Sequence, residues 1–241
     1  VEEGWFHGGH EGPPCSTWSS VLFAPGGPKA VRDRQHPWGL PDLSPGDYLR
    51  LQGGTWLLLV AFAIAEGLIL TAATNSLEHS KDRGCEPFPA MWITPELLEL
   101  EKIVHPERKL PSKRVDFHQC MFGGPAKKGT TVLTNCRSTE EFEEAQCNHA
   151  RGGHPAMLEG KFQGKFRTTS AQFYPQRMNE ALARMHLSEM LSDTRKRPMR
   201  EIAKRTPLQK KLIDLYPWAQ EERSKTKGEL AQTGRTPSKM M

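Results

Sequence analysis

The longest apolar run in the chain, Trp56 to Ala73 (WLLLVAFAIAEGLILTAA), shows no polar stripe and carries Glu66 and Gly67 in its middle. A helix that is apolar all round is buried, either against a sheet in a layered α/β domain or in a bilayer, and this run has about the length that a bilayer core requires. An acid in mid-span is unfavourable in lipid, and the run is followed by the strand-like Asn75-Ser76-Leu77-Glu78, not by a basic flank. The pattern therefore predicts a core helix packed on a sheet and no membrane association, with a membrane anchor as the competing reading.

Other segments carry weaker periodicities. Pro95-Glu96 with Leu97, Leu98, Leu100, Ile103 and Val104 predicts a short helix opened by proline and ending near His105-Pro106. Arg114–Met121 alternates like a strand, and the β-branched run Thr130–Thr134 reads as its hairpin partner across a Gly-rich turn. Between Arg177 and Ser192, Met178, Leu182 and Met185 mark one helical face, and Leu187, Met190 and Leu191 fall roughly opposite. That pattern predicts a helix packed on two sides, or one that breaks midway. Residues 24–54, rich in Gly, Pro and basic side chains, read as one long irregular loop. Residues 195–216 read as a weaker basic helix, and 219–241 hold too few apolar residues to order themselves.

With 241 residues, 37% hydrophobic and 25% charged, the chain can bury a real core. The net charge of +5 hides a gradient: residues 1–100 hold 6 Lys and Arg against 12 Asp and Glu, whereas the remainder holds 27 against 16. The second part thus faces polyanions. Five irregularly spaced cysteines argue against a secreted disulfide framework and for a reducing compartment. No signal peptide is visible after Val1, which reads as a fragment edge, so an intracellular location, the nucleus included, is expected.

Three segments carry candidate chemistry. Gly12-Pro13-Pro14-Cys15-Ser16-Thr17-Trp18-Ser19 presents a cysteine on a rigid turn, where a helix starting just after it would favour the thiolate. Asn75-Ser76-Leu77-Glu78-His79-Ser80 puts an acid at the exit of a buried strand, the end at which open sheets bind ligands. Phe122-Gly123-Gly124-Pro125-Ala126-Lys127-Lys128-Gly129-Thr130 is a turn whose lysines suit a phosphate or a backbone.

In this order, over about residues 10–136 and more faintly 160–183, the three segments resemble the cytosine-5 DNA methyltransferase family. The resemblance implies an α/β fold: a partial Rossmann-like, methyltransferase-type sheet with flanking helices over 1–175, then a helical basic C-terminal region over 176–216 and a disordered tail over 217–241. It implies Cys15 as the nucleophile, Glu78 as the carboxyl that holds the target base, and Lys128 in place of the first arginine of the supporting turn. Ala126, Thr130 and His79 stand where the family has glutamine, a second arginine and asparagine. The methyl donor would be S-adenosylmethionine. The family's Phe-x-Gly-x-Gly turn for that cofactor is missing, and Phe6-His7-Gly8-Gly9 lies too near Cys15 to serve, so the resemblance implies a missing N-terminal region or a second chain completing the pocket. It also implies DNA as partner, with Lys29, Arg32 and Arg34 in the long loop and Lys127, Lys128, Lys165 and Arg167 beyond it as contacts to nucleic acid, and an origin in a mobile-element polyprotein.

Two further readings compete. One is a catalytically inactive nucleic-acid-binding relic, in which Arg151 and Lys161 join the cations and Phe162, Phe166, Phe173 and Tyr174 stack on bases. The other is a small zinc site from Cys136, Cys147, His149 and His154, a Cys-x10-Cys-x-His-x4-His pattern, with Cys120 as a further candidate ligand.

Overall fold

The computed structural model describes residues 6–25, 27–107, 109–150, 152–158, 161–162, 165–167 and 173–192. The chain divides into two compact units, Val1–Ala203 and Lys204–Met241, and all described residues lie in the first. The helix expected over 195–216 and the tail over 217–241 lie outside the described residues.

The first unit is mixed α/β, with an open four-stranded mixed sheet flanked by helices. Strand β1 (Gly8–Glu11) pairs in parallel with β2 (Thr74–Ser80), in the register Glu11↔Leu77. Strand β4 (Gly129–Thr134) runs antiparallel to β2 on one side and to β3 (Lys113–His118) on the other, giving the order β1-β2-β4-β3. The expected hairpin is thus β3–β4, although β3 stops at His118, where Gln119–Phe122 turns into a 3-10 helix closed by Gly123 in the left-handed region. A second small hairpin joins β5 (Lys161–Phe162) to β6 (Lys165–Phe166).

The apolar run lies in helix α1 (Pro45–Leu70), which packs on β1 and β2. It begins eleven residues before Trp56, so the irregular segment ends at Ser44 and not at residue 54. The reason is a complete N-terminal signal inside the Gly/Pro-rich stretch: Ser44 Oγ accepts the Asp47 amide at 3.2 Å, and Pro45 occupies the first turn, where its missing N–H does no harm. Helix α2 (Pro95–Glu101) starts at its proline as expected but ends at Glu101, short of His105. A single turn, α3 (Glu140–Glu143), precedes a long connection to β5.

Helix α4 (Gln176–Ser192) is continuous and buries chiefly one face. Met178, Ala181, Leu182 and Met185 share a core with Val115, Phe117 and Val132 of the hairpin and with Phe122 and Phe142, while Leu187 and Leu191 face solvent. The second expected side is packed only in part: Met190 lies against β1, and among the described residues nothing covers Leu187 and Leu191. Close approaches at β1 show the layering. A Cβ on Gly8 would strike Met190 of α4, and one on Gly9 would strike Leu68 of α1, so successive residues of the strand face the two helices on opposite sides of the sheet.

Candidate functional site

The parallel register that sets Glu11 beside Leu77 puts Gly12, the first residue past β1, next to Glu78, which lies two residues before the end of β2. The Pro-Pro-Cys turn leaves β1 there. A Cβ on Gly12 would lie 2.3 Å from the Tyr174 hydroxyl and 3.8 Å from Glu78 Oε2, so a side chain here would have to displace the Tyr174 hydroxyl that caps the carboxylate. Cys15 is half-buried at the start of a 3-10 turn, Cys15–Thr17. No α-helix follows it, and three residues of 3-10 helix carry little of the dipole that the sequence suggested.

Strand alternation explains what surrounds Glu78. Thr74, Ser76 and Glu78 share the face toward α4, and that face carries a continuous polar stripe where aliphatic side chains are usual. Tyr174, just before α4, donates its hydroxyl hydrogen to Glu78 Oε2 at 2.7 Å. His186 on α4 contacts Thr74 Oγ1 through Nδ1 (2.8 Å) and Ser76 Oγ through Nε2 (2.7 Å). His10 Nδ1 in turn meets Ser76 Oγ at 2.8 Å, and its Nε2 lies 3.4 Å from the Tyr174 hydroxyl. Because Thr74 donates to the His7 carbonyl, the chain of donors runs in one direction if both imidazoles are neutral with hydrogen on Nδ1.

The electrostatics agree with that assignment. Burial lowers His186 to about 4; desolvation by its neighbours, helped by His186, also lowers His10, although His10 keeps an exposed edge to solvent. His79, on the opposite face and edge-on to Trp18, is pushed down to about 3, first by burial and then by Lys128. Burial raises Glu78, opposed by the Lys128 ammonium and by the Tyr174 hydrogen bond. Tyr174 is itself held protonated by burial, by the Glu78 charge and hydrogen bond, and by the charge of Cys15. Glu78 Oε1 has no hydrogen-bond partner among the described residues. The site thus joins a thiol, a carboxyl inclined to keep its proton, a phenol and an ammonium.

The expected cations divide sharply. Lys29 and Lys127 are exposed, and Lys128 is half-buried beside Glu78. Arg32 is not available to a phosphate. It is fully buried, donating to Thr17 Oγ1, the Pro37 and Leu51 carbonyls and Thr55 Oγ1, with its guanidinium 4.2 Å from the Trp18 ring centroid. It clamps the loop after Cys15 to α1. Arg34 is engaged by Asp82 in a bidentate pair at 2.7 and 3.2 Å. Arg167 is half-buried. Arg151 and the side chains of Lys161, Phe162, Lys165 and Phe166 lie outside the described residues. Phe173 is exposed, whereas Tyr174 is taken up by Glu78.

The Cys/His reading needs one substitution. Cys136 is buried among Val115, Phe142 and Met178 in the core, while Cys120 joins Cys147, His149 and His154 in a cluster whose ligand atoms all lie within 4.8 Å of one another. Periodicity cannot reveal that exchange, because Cys120 belongs to the 3-10 turn that ends the strand early.

No fit to S-adenosylmethionine emerges from the described residues. Gly8 and Gly9, the only glycine pair before Cys15, are taken up by close packing against Thr74, Met190 and Leu68. The polar network of Tyr174, His10, Ser76 and His186 was not evident as a site in the sequence; its one visible sign is the i, i+2 polar alternation of Thr74, Ser76 and Glu78 inside a buried strand. No known protein family matches the chain, nor does any curated protein or solved structure.

Proposed function

We propose that this chain carries the base-activating half of cytosine-5 DNA methylation. The observation that supports the reading most directly is the juxtaposition of the Pro-Pro-Cys turn, at the carboxyl end of β1, with Glu78, two residues before the end of the adjacent parallel strand β2, with Gly12 against the Glu78–Tyr174 pair. Ligand crevices of open α/β sheets form at such strand ends, and the parallel pair completed by a reversed hairpin strand is compatible with the back part of a Rossmann-like sheet.

Cytosine carbon 5 is a poor nucleophile until a thiolate has added to carbon 6. In this reading the Cys15 thiol gives up its proton to solvent and the resulting thiolate forms the bond to carbon 6, while the carbon 5–carbon 6 π electrons shift toward ring nitrogen 3. The Glu78 carboxyl, which burial inclines to hold its proton, delivers that proton to nitrogen 3 and becomes a carboxylate, so that no anion is left on the base. Tyr174 fixes Oε2 and leaves Oε1 to face the base. The base must leave its stack to enter, with Lys29 and Lys127 near enough to the surface to meet phosphates. Bound S-adenosylmethionine would supply an electrophilic methyl group; its pocket would come from a preceding region or a second chain. A DNA substrate goes with an intracellular, nuclear location.

The addition needs no cofactor to be seen. The adduct's carbon 5 takes a deuteron from solvent, releases its original proton and expels the thiolate, so cytosine returns labelled. The expected result is exchange of the carbon 5 hydrogen of cytosine in an oligonucleotide in D2O, abolished by Cys15→Ser and slowed at least about tenfold by Glu78→Gln, in line with the usual weight of a general acid. DNA binding with a steep salt dependence but no exchange above that of Cys15→Ser would replace this reading with the inactive binder.

A further inference from the structure

We infer that Cys120, Cys147, His149 and His154 hold a structural zinc ion that ties the connection after α3 to the turn carrying Lys128. Each residue offers one ligand atom, and all four atoms lie within 4.8 Å of one another. Cys147 Sγ is 3.5 Å from His149 Nδ1 and 3.3 Å from His154 Nε2. With Zn–S of about 2.3 Å and Zn–N of about 2.0–2.1 Å, a tetrahedral ion separates a sulfur and a nitrogen ligand by roughly 3.6 Å, so the cluster is nearly the size that zinc demands. Two thiols and two imidazoles are also the donor set that zinc prefers over the harder divalent ions.

The setting suits a structural ion. Cys120 is buried at the end of β3, and the other three ligands are half-buried or exposed, so the ion would lie at the edge of the core with its ligands supplied from two directions. The described residues between α3 and β5 contain no helix or strand and bury few apolar side chains: Gln146, Asn148, His149 and Ala150 are exposed, as is Met157. A long connection of this kind needs an anchor other than a hydrophobic core. Supporting contacts are already in place. The Cys147 amide donates to His118 Nδ1 at 3.2 Å, and the Ala156 amide donates to the Pro125 carbonyl at 2.9 Å.

The consequence reaches the thiol–carboxyl site. Cys120 follows Gln119, whose amide holds the Lys128 carbonyl at 3.0 Å and whose carbonyl accepts from Gly124 at 3.0 Å. An ion bound to Cys120 therefore braces both ends of the turn that sets Lys128 beside Glu78.

Elemental analysis of the full chain, purified under reducing conditions with zinc and then freed of loose metal, tests the assignment. One zinc per chain is expected, falling at least about tenfold in Cys120→Ser and in Cys147→Ser and unchanged in Cys136→Ala, because binding by four ligands collapses when one thiolate is lost. His149→Cys should still hold one ion, and its cobalt form should gain thiolate-to-cobalt absorption over the native cobalt form. That gain distinguishes ligation from misfolding of the serine variants. Less than about 0.1 zinc per chain in the native protein, loss of zinc from a folded Cys136→Ala variant equal to that from Cys120→Ser, or a mass lower by two hydrogens showing a Cys120–Cys147 disulfide, would each overturn the site.

Discussion

At Glu78 three influences act on one proton. Burial holds it on, while the Lys128 ammonium and the Tyr174 hydroxyl favour its release, and burial is the largest of the three. If the protonated carboxyl is the form that serves cytosine, activity falls on the alkaline side as Glu78 ionises. Replacing Lys128 by Met removes a charge that stabilises the carboxylate, so the alkaline limb of the exchange rate moves to higher pH, and profiles of the native and Lys128→Met chains measure it directly. A shift to lower pH would mean that Lys128 acts on the base or the phosphate and not on Glu78. Residue type alone pointed to Cys15 and Glu78, because a cysteine after two prolines and an acid ending a buried strand are local signals. Arg32 was misread for a physical reason: a cation in a Gly/Pro-rich loop reads as solvated, and nothing local announces that Thr17, Thr55 and two carbonyls will surround it. Tyr174 reads from the sequence only as an aromatic that stacks on bases, since its partner lies 96 positions away.

Among the elements, legibility followed the strength of local patterning. The β3–β4 hairpin and the existence of α1, α2 and α4 were readable from periodicity, because each buries one continuous set of side chains. The start of α1 was not, since Gly53-Gly54 reads as a breaker and masked the Ser44-Pro45 cap ahead of it. The two glycines are not equivalent. A Cβ on Gly53 meets nothing within 4 Å, whereas one on Gly54 would lie 2.7 Å from Thr17 Oγ1 and 3.4 Å from Arg32 Nη2. Gly53→Ala should therefore stabilise the chain by about 0.5–1 kcal/mol, the helix-propensity difference. Gly54→Ala should lose that gain and destabilise by about 1–3 kcal/mol, the range for overpacking a tight contact. It should also slow base exchange, because Thr17 belongs to the turn that presents Cys15. Urea midpoints of the two variants give the comparison, and equal stabilisation by both would mean that α1 and the Pro-Pro-Cys turn are not in contact.

For the molecule as a whole, the unusual feature is how many ionisable groups the three layers enclose in their neutral forms. His186 titrates near 4 and His79 near 3, both below an ordinary histidine near 6.5. Their folded forms bind fewer protons than the unfolded chain at mildly acid pH, so they contribute stability above about 6.5 that is lost as pH falls toward 4. Glu11 behaves oppositely. Burial raises it from 4.5 to about 8, and its Oε2 has no hydrogen-bond partner among the described residues. The folded chain therefore holds a proton that the unfolded chain has released, and stability declines as pH rises from about 4.5 to about 8. Glu78 adds to that decline in the same direction. The two trends oppose each other between 4.5 and 6.5, and above 6.5 only the carboxyls act. Stability should thus fall by roughly 1–2 kcal/mol between pH 6.5 and pH 8 on account of Glu11, at 1.36 kcal/mol per unit for a full proton. Glu11→Gln keeps the shape without the ionisation, so its urea midpoint should change much less between those two pH values. An alkaline slope identical in both chains would show that Glu11 reaches water in the folded state, and that the neutral interior does not extend to the carboxyl end of β1.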